Sequence, residues 1–204
     1  MSAVLTPSRP VPVTAPPRFQ PHRWTLDEYR RIGRTGLFDG VRTILLDGVL
    51  YVMPHPDPPH NTSLGLTHEI LQRVFAVGHH VRNQMAFDVG TRNDPGPDLA
   101  VVPGNFRDYA TRQVDTAVLI VEVADSSLFT DTTTKAELYA TANVPEYWVI
   151  DLEHRLLLVF RDPVPLPQGL GATAYRTHRT LAEADTVSPL AAPGATIRVA
   201  DLLP

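Results

Sequence analysis

Four side chains stand where their types and spacing can do chemistry: Asp98, Glu122, Lys135 and His60. Glu122 is the sharpest of them. It interrupts the otherwise apolar run from Ala117 to Ala124, and near-continuous apolar strands belong to sheets covered on both faces, so its carboxylate is expected to be buried. A carboxylate in a dry strand is costly unless it is paired, protonated or bound to a cation. Asp98 follows Pro97 at the head of a second apolar strand. Lys135 lies on a helix expected over about Thr132 to Thr141, where Asp131, Lys135, Leu138, Tyr139 and Ala142 fall on one stripe, which turns the ammonium towards the sheet. It is the only lysine among 18 lysines and arginines, as expected of a site that needs a compact ammonium rather than a guanidinium. Two carboxylates from neighbouring strands and an ammonium from the adjoining helix can hold a divalent cation and a phosphodiester. Mg²⁺ takes such oxygen ligands, and Mn²⁺ can replace it. In that arrangement Asp98 and Glu122 are the metal ligands, and Lys135 orients or deprotonates the attacking water or stabilises charge on phosphate. His60, at the entrance of a helix, is placed to contact the phosphate or the cation's water.

Each residue also has a plainer role open to it. Asp98 can cap a Pro-Asp turn at a strand start. Glu122 can form a structural pair with a core arginine. Lys135 can form an exposed pair with Asp131 four residues earlier, and His60 can be a solvent-facing cap. His55, His79 and His80 fit no metal-binding spacing and read as surface residues. Ser126 and Ser127 lack the flanking glycines of a nucleophile elbow, and neither a GxGxxG nor a Walker pattern is present.

The elements that must position these groups follow from periodicity and punctuation. Thr25 with Glu28 fits a capping box opening a helix from Leu26 to Ile32, ended by Gly33 and Gly36. Val41 to Leu46 and Val49 to Met53 flank Asp47-Gly48, the signature of a type I′ hairpin. A proline-rich loop, His55 to Pro59, precedes a helix from about Asn61 to Val77. A strand is expected near Met85 to Val89, then strands after Pro97 and from Ala117 to Ala124. The helix bearing Lys135 and strands at Tyr147 to Asp151, Arg155 to Phe160 and Ala174 to His178 complete the series. A loop spans Pro163 to Gly171, and Ile197 to Leu203 closes the chain. Five consecutive apolar residues, Leu156 to Phe160, need cover from the chain's own elements or from a second copy, and a homodimer is the expectation drawn from them.

Composition sets the outer limits. With 204 residues, 43% hydrophobic and 20% charged, the chain suits a single domain with a sizeable core, residues 22–204. Residues 1–21 carry six of the 20 prolines and few large apolar groups, and are expected to be a disordered Pro-rich tail. No apolar run approaches a membrane span and no secretory signal opens the chain, so a cytoplasmic protein is expected, with no membrane partner. The absence of cysteine excludes disulfides, thiolate metal sites and cysteine nucleophiles. A net charge of −4 and a pI near 6.0 leave nucleic-acid binding to a local groove rather than a broad basic surface.

The run Pro97-Asp98-Leu99, the strand ending Val121-Glu122-Val123 with Ser126-Ser127 after it, and the helix with Lys135 leading to Tyr139, Glu146-Tyr147-Trp148 and Asp151 resemble the Uma-two family. That family of endonucleases belongs to the PD-(D/E)XK, or restriction-endonuclease-like, superfamily. The likeness extends to the Leu46-Asp47-Gly48 hairpin, the Met53-Pro54 to His60 loop, Tyr175 and the segment from Pro193-Gly194 to Leu203. It implies an α/β restriction-endonuclease-like sandwich, with a mixed central β-sheet flanked by helices plus an N-terminal helix and hairpin. It also implies Asp98 and Glu122 as metal ligands, and a lysine moved from its usual place two residues after the glutamate, now Ala124, to Lys135 on the helix. The activity implied is Mg²⁺-dependent endonucleolytic hydrolysis of nucleic acid, DNA foremost. The chain departs from the family upstream: a glutamate usual before the Asp-Gly turn is Ile44, and another frequent just after it is Val49. Three functions remain open. They are a metal-dependent nuclease, a weakened or inactive nuclease-fold module that binds nucleic acid or protein, and an interaction module in which Glu122 and Lys135 form a buried salt bridge.

Overall fold

The computed structural model describes residues 20–166 and 173–204. The Pro-rich segment 1–19 and most of the loop expected after Pro163 lie outside the described residues. Helix α1 (Leu26–Gly33) opens with the capping box expected of it, the Thr25 hydroxyl accepting from the Glu28 N–H and the Glu28 carboxylate accepting from the Thr25 N–H. Strands β1 (Arg42–Leu46) and β2 (Val49–Met53) form a two-stranded antiparallel hairpin. Asp47 and Gly48 both have positive φ, 46° and 72°, as a type I′ turn requires. Trp24 donates to the Gly48 carbonyl at 2.9 Å, so the turn is tied to the segment entering α1.

Helix α2 (Pro58–Val74) begins three residues before the position expected from periodicity. Asp57 caps it by accepting from the His60 N–H at 3.0 Å, and Pro58 and Pro59 occupy the first turn, where a missing N–H costs nothing. Its C-terminus leads into β3 (His79–Asn83). The strand expected near Met85 to Val89 is therefore displaced: pairing falls on residues 79–83 and the later segment is irregular. Gln84, with φ of 47°, marks the point where the chain leaves the sheet. His79 and His80 accordingly lie in a strand and are half-buried rather than free on the surface.

Six strands make the central sheet in the order β3-β4-β5-β6-β7-β8, with β4 at Leu99–Pro103, β5 at Leu119–Ala124, β6 at Glu146–Asp151, β7 at Leu156–Pro165 and β8 at Thr173–Ala182. All neighbours are antiparallel except β5 and β6. The parallel pair needs a crossover, supplied by α3 (Leu128–Thr130), a π-helical turn over Asp131–Lys135, and α4 (Ala136–Thr141). Leu64 and Leu71 of α2 pack on one sheet face with Leu99, Val121, Val123 and the closing segment through Leu203. Tyr139 and Ala140 of α4 pack on the other with Ile120, Val149, Phe160 and Phe87. That segment contains a short pair, β9 (Thr186–Val187) with β10 (Ile197–Arg198), and a 3₁₀ turn at Val199–Leu202.

Three of the five apolar residues in β7, Leu157, Val159 and Phe160, are buried within the chain, and Leu156 and Leu158 are half-buried. Leu157 and Val159 are buried against Leu181, Val187 and Ile197, and Phe160 is buried beside Tyr147 and Tyr175. No helix among the described residues is long and apolar enough to cross a membrane.

Candidate active site

The β4–β5 register brings the two carboxylates together. Leu99 pairs with Val121, so Asp98 and Glu122 are opposed one step beyond that pair, at the sheet end where the two strands diverge. Asp98 is held by three donors. Its Oδ2 accepts from the Val123 N–H at 2.9 Å and lies 3.2 Å from His60 Nε2, and its Oδ1 accepts from the Gln84 amide at 3.1 Å. His60 Nδ1 is buried without a partner. The network therefore assigns the ring proton to Nε2, donated to Asp98. Burial pushes the Asp98 carboxyl up, but the His60 hydrogen bond, the Val123 N–H and the charge of Lys135 outweigh it and hold the group below the usual carboxylate range.

Glu122 is 2% exposed. Its Oε1 accepts from the Tyr139 hydroxyl at 2.7 Å and its Oε2 lies 3.0 Å from Lys135 Nζ. Lys135 is equally close, 3.0 Å, to Asp131 Oδ1, and the Ser127 hydroxyl donates to the other Asp131 oxygen. The π-helical turn puts Asp131 and Lys135 on the inner side of the crossover, and Tyr147 fixes it by donating to the Asp131 carbonyl at 3.0 Å. Such turns are rare and concentrate at functional sites. The lysine stripe expected from the sequence is thus present, but as a buried clamp between two carboxylates rather than an exposed pair.

Burial would draw the proton off Lys135, yet Glu122 and Asp131 outweigh it and raise its pKa above the ordinary lysine value. An ammonium held so firmly cannot take a proton from water. It acts as a fixed positive charge. Glu122 is pushed up to about 8, first by burial and then by the carboxylates of Asp98 and Asp131, against the pull of Lys135 and Tyr139. Glu122 and Asp131 share the one buried ammonium, and Asp98 faces them from the neighbouring strand.

Asp98, Glu122, Lys135 and His60 line one cleft between the hairpin and the sheet end. All four residues expected from the sequence are brought together, although His60 is spent on Asp98. Arg42 and Gln84 were missed by sequence reasoning. Arg42 lines the same cleft with its guanidinium 3.7 Å from Asp98 Oδ1. A signal for it existed, since Arg42 and Ile44 share a face of β1 by the two-residue period. Gln84 left none: it reaches Asp98 from a non-repetitive turn. Ile44 is buried in the cleft wall where the family likeness places a glutamate.

A six-stranded mixed sheet between two helical layers, with paired acids at one strand end, defines a restriction-endonuclease-like α/β protein. The chain matches the model of the Uma2 family, described as "Putative restriction endonuclease", over residues 26–200. It belongs to that family. Among solved structures it is similar to a "putative nuclease belonging to DUF820" from Anabaena variabilis, with a TM-score of 0.67 and 16% identity over 88% of this chain and 97% of that one. No curated protein matches the chain.

Proposed function

We propose that this protein is a metal-dependent nuclease that hydrolyses phosphodiester bonds of nucleic acid, DNA foremost, at the cleft of Asp98, Glu122 and Lys135. The observation that carries the reading is the opposition of Asp98 and Glu122 across β4 and β5, with the Lys135 ammonium 3.0 Å from Glu122. Mg²⁺ binds through one or two carboxylates plus substrate phosphate, and Asp98 and Glu122 are two such carboxylates lining one cleft. The opposed carboxylates of Asp98 and Glu122 are an oxygen donor set that fits a small divalent cation, Mg²⁺ or Mn²⁺.

When bound, the cation supplies positive charge to phosphoryl oxygens as negative charge grows on them. His60 and Gln84 keep the Asp98 carboxylate turned to the cleft. Tyr139 and Lys135 fix the Glu122 carboxylate, and the clamp by Asp131 holds the ammonium in place without side-chain reorganisation during reaction. The cleft belongs to one domain, residues 22–204.

The test is cleavage of plasmid and oligonucleotide DNA with Mg²⁺ or Mn²⁺. Asp98→Asn, Glu122→Gln and Lys135→Met are each expected to lose at least about 10²-fold, and the losses are expected not to add, because the three groups act on one transition state. Wild-type rates in Glu122→Gln would sink the proposal. A second reading, a nuclease-fold module that binds without cutting, is favoured by Ile44 in the cleft wall. It predicts nucleic-acid binding with no metal-dependent cleavage.

A further inference from the structure

The hairpin wall of the cleft carries a second set of groups that the carboxylate site does not use. In the β1–β2 register Arg42 is opposite Met53 and Ile44 is opposite Tyr51. By the two-residue period these four share one face, and all of them line the cleft or its continuation beside Lys135. The wall is one guanidinium followed by an apolar and aromatic surface.

Arg42 is the unexplained cation. Its distance of 3.7 Å to Asp98 Oδ1 is beyond a hydrogen bond, and that oxygen already accepts from Gln84. The guanidinium is thus held near Asp98 by charge alone, makes no hydrogen bond among the described residues, and is 31% exposed to the cleft. Tyr51 is 43% exposed, and among the described residues its hydroxyl has no hydrogen-bond partner. Ile44, Met53 and Pro54 line one side of its recess, and Ser126, Ser127, Thr130 and the Asp131–Lys135 pair line the other. A cation and an aromatic ring two strand positions apart on one face can take a base on the π-face and a neighbouring phosphate on the cation, with little regard to sequence.

Resting on the nuclease reading above, we propose that this wall is a nucleotide subsite, with Arg42 taking a phosphate and Tyr51 an unpaired base, so that the preferred substrate is single-stranded rather than duplex DNA. A duplex hides its base faces in the stack and must extrude a base to use the wall. The net charge of −4 also gives the chain no broad basic surface with which to track a duplex backbone.

Fluorescence anisotropy with a labelled single-stranded oligonucleotide and with its duplex, both in Ca²⁺ to support binding, tests the proposal. The single strand is expected to bind at least about tenfold tighter than the duplex. Arg42→Ala, with Arg42→Gln as a second variant should the first fail to fold, is expected to weaken single-strand binding and to reduce the slope of log affinity against log salt by about one. Tyr51→Ala is expected to weaken it at least about fivefold with the slope unchanged, and Tyr51→Phe to retain it. Duplex binding equal to or tighter than single-strand binding, or wild-type affinity in Tyr51→Ala, overturns the subsite while leaving the nuclease reading in place. Failure of the wild-type chain to bind either DNA overturns both.

Discussion

At Glu122 the cost of burial and the attraction of Lys135 oppose each other, and burial among Asp98 and Asp131 prevails, raising the carboxyl from 4.5 to about 8. Between those values the folded chain holds a proton that the unfolded chain has released. Stability without metal is therefore expected to fall as pH rises from about 4.5 to 8. Cation binding at Glu122 must displace the same proton, so Mg²⁺ affinity is expected to rise about tenfold per pH unit in that window and to level off above it. Calorimetric titration at about pH 6 and about pH 8, in buffers of different ionisation heat, reads both the affinity and the proton released. Affinity that does not change over that range would mean that Glu122 is already ionised. Ile44 gives the complementary experiment, since it lines the cleft at 7% exposure. Ile44→Glu is expected to raise Mg²⁺ affinity and, without metal, to cost at least about 1 kcal/mol of stability through a buried unpaired carboxylate. Equal affinity in the two proteins would show that position 44 does not face the cation.

Among the elements, the hairpin is the one whose placement decides the cleft, because it carries Arg42, Ile44, Tyr51 and Met53 yet lies outside the six-stranded sheet. Its anchor is the turn. A Cβ on Gly48 would lie 2.8 Å from the Trp24 carbonyl oxygen at a φ of 72°. Gly48→Ala is therefore expected to cost about 1–3 kcal/mol in urea unfolding and to weaken DNA binding by shifting the wall. Unchanged stability would mean that the turn is not locked against Trp24. The hairpin was legible in the sequence because Asp-Gly between two apolar runs has one favoured geometry. The crossover was legible only as a helix: apolar spacing cannot register the extra residue that makes a π-helical turn, and that turn is where Asp131 joins Lys135. The strand expected at residues 85–89 shows the same limit, since Met85, Phe87 and Val89 alternate as a strand would, yet only Phe87 is fully buried, and it packs as an irregular segment over α4's side of the sheet. Charge is harder still to read. Glu146 heads strand β6 and is buried as fully as Glu122, but Arg161, the Trp148 indole and the Leu190 N–H all donate to it. What sets the two glutamates apart is chiefly the partners that other elements of the fold bring to them.

For the whole molecule, the homodimer expected from the apolar run in β7 bears on only part of that run, since Leu157, Val159 and Phe160 are covered by the chain's own residues while Leu156 and Leu158 stay half-buried. Light scattering at micromolar concentration decides it: a mass of two chains supports the pair, and a mass of one chain, 22.5 kDa, rules it out. Lys135 has a consequence at this scale as well, because it is the chain's only lysine and its side chain is 5% exposed. Every ε-amine available to an acylating reagent sits at the bottom of one cleft. Incorporation of an amine-reactive tag at residue 135 therefore counts openings of the crossover, free of background from other lysines. Its rate, followed by peptide mass spectrometry, is expected to drop when Mg²⁺ and DNA fill the cleft and to rise in Glu122→Gln, which loosens the clamp. A chain with this composition carries its own chemical clock.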